Sequence, residues 1–159
     1  VIEVRPLQPA HDGAWLEAFL EEQWGGSLQA RRGELFDARR LPALVARRDG
    51  ERVGLLCYRD DGGRVWELAL LSAADGHTGI GSALLVALVD MVGAGARIWV
   101  VTTNDNVDAM RFYQRRGFRL QELRAGAVDE SRRVLKPQIP VTGRYGIPLR
   151  DEVELVLDV

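Results

Sequence analysis

A chain of 159 residues, 47% of them apolar, can bury the core of one ordinary domain, and it is read as a single domain over residues 1–159. Its 21 Lys and Arg against 23 Asp and Glu leave a net charge of −2, which argues against the basic footprint of a dedicated nucleic-acid binder. One cysteine, Cys57, excludes an internal disulfide framework; no apolar run nears the roughly 20 residues that cross a bilayer and no basic-then-apolar leader is visible, so a cytoplasmic setting without membrane contact is expected.

Val1 to Arg5 alternates and reads as a short strand. Asp12 is placed to cap a helix in which Trp15, Leu16, Phe19 and Leu20 share one face, with Gly25 and Gly26 ending it. Gln29 to Arg40 is polar and basic and is expected to be a loop or a short helix. Ala43 to Arg47 and Val53 to Arg59 read as strands joined by Asp49-Gly50, a strong hairpin signal. Asp61-Gly62-Gly63 makes the next turn, and Val65 to Leu71 is an almost continuously apolar strand. Gly79 to Val92 reads as a deeply buried helix, with Ile80, Ala83, Leu84, Leu88 and Met91 at helical spacing. Arg97 to Thr103 is a strand; Val107 to Arg116 is a helix stopped by Gly117; Phe118 to Leu123 is a strand. Gly126 to Arg150 is punctuated by Pro and Gly and opens with a helical turn over Asp129 to Leu135; Val153 to Val159 closes the chain as a strand. This order predicts an α/β (α+β) fold: a mixed, mostly antiparallel twisted sheet flanked by helices.

The most informative local feature is a strand, then Gly76-His77-Thr78-Gly79-Ile80-Gly81-Ser82, then an apolar helix. A helix start carries unpaired N–H groups and a partial positive charge, and glycines let an anion approach the backbone. Such a turn can hold a diphosphate without a lysine, the donors being the amides of Gly79, Gly81 and Ser82 and the Ser82 hydroxyl. A P-loop is excluded because no Gly-Lys-Ser/Thr is present, and a dinucleotide fingerprint because Leu84 stands where its third glycine belongs. The tripeptide Gly79-Ile80-Gly81 alone fits an ordinary turn into a helix better than a diphosphate site.

A second segment, residues 104–118, contains Asn106, Ala109, Phe112, Tyr113, Gly117 and Phe118. It resembles the Asn-x-x-Ala-x-x-Phe-Tyr-x-x-x-Gly-Phe stretch of GNAT acetyltransferases. The coenzyme motif of that family, Gln/Arg-x-x-Gly-x-Gly/Ala, falls on Gly76 to Gly81, in the family's order and behind a strand. Gly76 stands at the Gln/Arg position, which removes one side-chain contact and leaves the backbone cradle.

The resemblance implies acetyl-CoA as cosubstrate and no metal. It assigns Gly76, Thr78, Gly79, Ile80, Gly81 and Ser82 to the diphosphate, and the backbone of Leu70 and Leu71 to the pantetheine arm. Asn106 would contact the coenzyme or hold its loop, with a helix cap as its alternative role. Tyr113 would be the general acid that protonates the leaving thiolate, against the alternative of a core aromatic. Glu67, the one charge in its strand, is either a partly buried general base with a raised pKa or a residue of the solvent face.

The acceptor groove would be framed by Gln23 to Arg40 and Leu135 to Arg150, with Trp24, Arg32 and Tyr145 as lining candidates. Arg31, Arg32, Arg39 and Arg40 read as a solvated basic surface; one of them binding substrate would imply a carboxylate or phosphate on the acceptor. The function expected is acetyl transfer to the primary amine of a small molecule. The alternatives are acetylation of a protein N-terminus or lysine and a non-catalytic acyl-CoA sensor. Dimers are common among such proteins, so a homodimer is the oligomeric expectation.

Overall fold

The computed structural model describes residues 1–74 and 78–159. In chain order its elements are β1 (Ile2–Pro6), α1 (Pro9–Trp24), β2 (Leu28–Arg31), β3 (Glu34–Asp37), a 3-10 turn (Ala38–Arg40), β4 (Ala43–Arg48), β5 (Glu51–Gly62), β6 (Val65–Ala73) and α2 (Ile80–Val92), followed by β7 (Arg97–Thr103), α3 (Val107–Arg115), β8 (Arg119–Arg124), α4 (Ala127–Val134), a second 3-10 turn (Arg144–Gly146) and β9 (Glu152–Asp158). The pairings β1–β4, β4–β5, β5–β6, β7–β9 and β8–β9 are all antiparallel. The fold is the expected mixed α/β architecture, a mostly antiparallel sheet with flanking helices. The chain forms two compact units, Val1–Ser27 with Asp37–Ala96 and Val159, and Leu28–Phe36 with Arg97–Asp158.

In the first unit the strands run β1-β4-β5-β6. Asp49 and Gly50 both take positive φ (51° and 82°), the two-residue turn that matches strand twist and that the Asp-Gly pair predicts. The next turn falls at Gly63-Arg64, slightly later than Asp61 to Gly63, because β5 continues to Gly62. α1 starts with Pro9 at its first turn and ends at Gly25 in the left-handed region.

Asp12 does not cap α1. It lies inside the first turn at 0% exposure and accepts from Arg5 Nη1 and Nη2 (2.7 and 2.8 Å), Arg52 Nε (2.7 Å) and the Gln8 amide (2.7 Å). Pro9 moves the helix start upstream, so the carboxylate bonds back to the capping residue's amide and joins α1 to β1 and β5.

α2 buries Ile80, Leu84, Leu85 and Leu88 but leaves Val86 and Met91 exposed (58% and 42%), so it is not buried on every side. With Ser82 and Asp90 as its only polar residues, the sequence carries no continuous polar stripe to mark its open face. Its buried stripe lies against β5 at Gly54, where a Cβ would collide with Ile80 Cγ2 and come to 3.1 Å from Leu84 Cδ1. Gly54→Ala therefore overpacks this layer and should lower stability by about 1–3 kcal/mol, read as a lower thermal or urea midpoint with unchanged secondary structure.

In the second unit the strands run β7-β9-β8, and β2 and β3 form a separate hairpin. That hairpin occupies part of Gln29 to Arg40 and replaces the expected loop or short helix. Its turn is Arg32-Gly33, both with positive φ (53° and 75°). Cation–π stacking holds the turn: Arg31 lies 4.5 Å over Phe36 and 5.7 Å over Trp99, and Arg32 lies 4.6 Å over Trp99. Arg31 is thus buried and not part of a solvated basic surface. α3 is stopped by Gly117 at φ 94°. α4 extends the helical turn predicted after Gly126 and starts two residues earlier, at Ala127.

Candidate active site

The cradle belongs to the first unit. α2 begins its ladder with Ala83 N donating to Gly79 O at 3.0 Å, so the amides of Ile80, Gly81 and Ser82 precede the ladder at the positive end of a 13-residue helix. Gly79 takes φ 81°, a conformation a side chain would strain, and it is exposed together with Thr78. Arg48 of β4 donates to Thr78 O at 2.9 Å and fastens the entry to the helix. These backbone donors, with no carboxylate at the first turn of α2, suit a diphosphate. Gly76, and His77 beside it, lie outside the described residues.

β6 carries Glu67, Leu70 and Leu71. Its register against β5 shifts between Leu70, opposite Cys57, and Leu68, opposite Tyr58, which leaves Ala69 as the extra residue of a β-bulge. The bulge brings Glu67 onto the face of Leu70 and Cys57, where regular alternation would place it opposite. There Glu67 is buried at 1% exposure, off the solvent face, and forms an ion pair with Arg59 of β5 at 3.4 Å. Cys57 is fully buried, and burial pushes its thiol up to about 12, so it stays protonated and inert at neutral pH. Trp24 ends α1 half-buried, and its indole Nε1 is buried without an acceptor among the described residues.

The second unit holds Asn106, Tyr113, Arg32 and Tyr145. Asn106 is the N-cap of α3: its side chain accepts from the Ala109 amide at 3.1 Å. Neighbouring Asn104 instead accepts from the Arg150 and Asp151 amides and donates to Pro148 O at 2.8 Å, fixing the chain that leads into β9. Asp105, 5% exposed, accepts from Thr103 Oγ1 and from the Arg144 amide. Gly143 packs so closely on this carboxylate that a Cβ would collide with it.

Tyr113 faces inward from α3 at 5% exposure, between Phe112 (5.2 Å, edge-on) and Phe118 (5.1 Å). Burial raises its phenol well above the usual tyrosine range, so it keeps its proton throughout the physiological range. Tyr145 is 71% exposed and donates to Asp108 Oδ2 at 2.6 Å, a bond that raises its own phenol.

Arg32 lines a cavity of about 330 Å3 with Glu122, Arg124, Glu130, Ser131 and Glu152. Its amide donates to both Glu152 oxygens (3.1 and 3.2 Å), and its Nε lies 3.6 Å from Glu154. The sequence pointed to Arg32 but missed Arg59 and Arg124, which act across strands, and Arg48, which binds the turn before α2. Their only signal is the frequency of arginine on neighbouring strands, which does not identify partners.

Residues 8–118 match the acetyltransferase (GNAT) family, and the chain belongs to that family. It is 36% identical to YdhI, an uncharacterized protein of Bacillus subtilis, over 87% of each chain, and 32% identical to YxbD of the same organism over 91% of each. Among solved structures, an IAA acetyltransferase from Bacillus cereus superposes with a TM-score of 0.74 at 19% identity, covering 100% of both chains. A GNAT acetyltransferase from Elizabethkingia anophelis with acetyl-CoA bound gives a TM-score of 0.69 at 16% identity, covering 99% of this chain and 98% of that one.

Proposed function

We propose that this protein transfers the acetyl group of acetyl-CoA to a primary amine of a small molecule. The observation that carries the reading is Tyr113: a buried, protonated phenol on the helix capped by the family-motif Asn106, in a chain of the GNAT family. Bound acetyl-CoA supplies the activated acyl group as a thioester. In this reading the amides of Gly79 to Ser82 hold its diphosphate, with Thr78 beside them, and the backbone of Leu70 and Leu71 lies along the pantetheine arm. The Tyr113 hydroxyl gives a proton to the departing sulfur. Glu67 accepts the proton lost by the amine. Asn106 holds the start of α3 and so keeps the phenol in position.

The test is a free-thiol assay over amines, amino acids, polyamines and aminoglycosides. Amine-dependent thiol release above the rate of acetyl-CoA hydrolysis is expected. Acetyl-CoA binding without release from any of these would favour a sensor, and release only with peptide acceptors would move the acceptor to protein.

A further inference from the structure

The cavity in the second unit has an acidic excess and an unsatisfied donor. Arg124 donates Nε to Glu152 and Nη1 to Glu122 and Glu154, each at 3.2 Å. Arg32 adds its ion pair with Glu154 and its amide bonds to Glu152. Two guanidinium groups thus face three carboxylates, a formal excess of one negative charge. Glu130, also on the wall, is paired separately with Arg133 at 2.6 Å. No positive charge in this group is left over for a ligand carboxylate.

A hydrogen-bond acceptor is nevertheless missing. Among the described residues Arg124 Nη2 is buried and has none, although the other two nitrogens of the guanidinium are bonded. A buried N–H without an acceptor carries a desolvation penalty that a ligand oxygen would relieve. Ser131 on α4, 3% exposed, brings a hydroxyl to the same wall, and Leu135 supplies apolar surface. The cavity is also tied to α3. Glu152 pairs with Thr103 in the β7–β9 ladder, and Asn104 binds the Arg150 and Asp151 amides just before α3 begins.

We propose that this cavity takes the body of the acceptor, and that the acceptor is a cationic amine bearing an uncharged oxygen, amide or hydroxyl, in place of a carboxylate. The proposal rests on the acetyl-transfer reading for calling the ligand an acceptor; the charge and donor arguments do not. It departs from the reading that an arginine here, if it bound substrate, would imply a carboxylate or phosphate, because the charge of Arg32 and Arg124 is already spent on carboxylates. A volume of about 330 Å3 suits an amine of modest size.

Lysinamide and lysine differ only in amide against carboxylate and make a matched pair. In amide NMR titrations of the full chain, lysinamide should bind at least about tenfold more tightly than lysine. Its shifts should centre on Gly33, Ser131 and the Arg124 side chain. Glu122→Gln combined with Glu130→Gln, both at exposed carboxylates, should weaken lysinamide about threefold or more without changing acetyl-CoA affinity. Equal or tighter binding of lysine, or shifts centred elsewhere, would overturn the proposal. Thiol assays on the same samples separate the two readings. Lysinamide in the cavity with no thiol release from any amine would sink acetyl transfer and leave the binding site. Thiol release with amines that bypass the cavity would sink the acceptor assignment and leave acetyl transfer.

Discussion

Tyr113→Phe is expected to lower kcat about 100-fold or more while leaving the Kd for acetyl-CoA within about twofold. The size follows from the leaving group. An ordinary thiol loses its proton near pH 8.5, so in water a thiolate departs without much help. Buried surroundings change that balance. Cys57 shows the effect within this chain, its thiol pushed up to about 12 by burial alone. A thiolate released into comparable surroundings is a strong base, and a phenol raised by the same cause can still protonate it. Because burial raises Tyr113, its ionisation should produce no fall in kcat between pH 6 and 9. The substitution removes only one oxygen, so the fold should be unaffected. Equal loss of turnover and coenzyme affinity would mark Tyr113 as a packing residue.

Asp12→Ala is expected to cost about 3 kcal/mol of stability, which for a chain of this length is about 6–12 °C in Tm. The carboxylate is fully buried and accepts four hydrogen bonds, three of them from guanidinium groups. The cost lies at the low end for a broken buried pair because Arg5 and Arg52 are partly exposed (25% and 33%) and can turn to water. Asp12→Asn keeps the shape and part of the bonding and should lose less. The Arg5 hydrogen bonds hold the Asp12 carboxyl far below its usual value of 3.8. The unfolded chain therefore binds this proton first as pH falls. The contribution is fully present above about pH 4 and is lost as pH drops through the folded value. Acid denaturation followed by circular dichroism should accordingly be less steep in Asp12→Asn than in the unaltered chain below pH 4. Identical acid profiles would show that this ion pair does not govern the transition.

Most of the framework was legible in the sequence because it depends on local signals. The Asp49-Gly50 turn, the strand over Arg97–Thr103, the Gly117 stop and the apolar stripe of α2 are set within a few residues of chain. The two motifs name the candidate residues from equally local sequence. Three features were not legible because they are made by residues of different elements or by an irregularity within one. The β2–β3 hairpin lacks an apolar alternation; its turn is stabilised by Trp99, more than 60 residues away, stacking on Arg31 and Arg32. Glu67 lies on the face of Leu70 and Cys57 because a bulge at Ala69 reverses the alternation of β6, and periodicity alone cannot locate a bulge. Asp12 has the sequence context of a cap, and only the positions of Arg5 and Arg52 make it a buried ion-pair centre.

The most direct measurement is a crystal structure of the protein with acetyl-CoA. Diphosphate oxygens should accept from the amides at Gly79 to Ser82, and the Tyr113 hydroxyl should lie within hydrogen-bond reach of the thioester sulfur. A coenzyme bound away from the start of α2 would contradict the cradle, and a phenol turned from the sulfur would contradict the general acid.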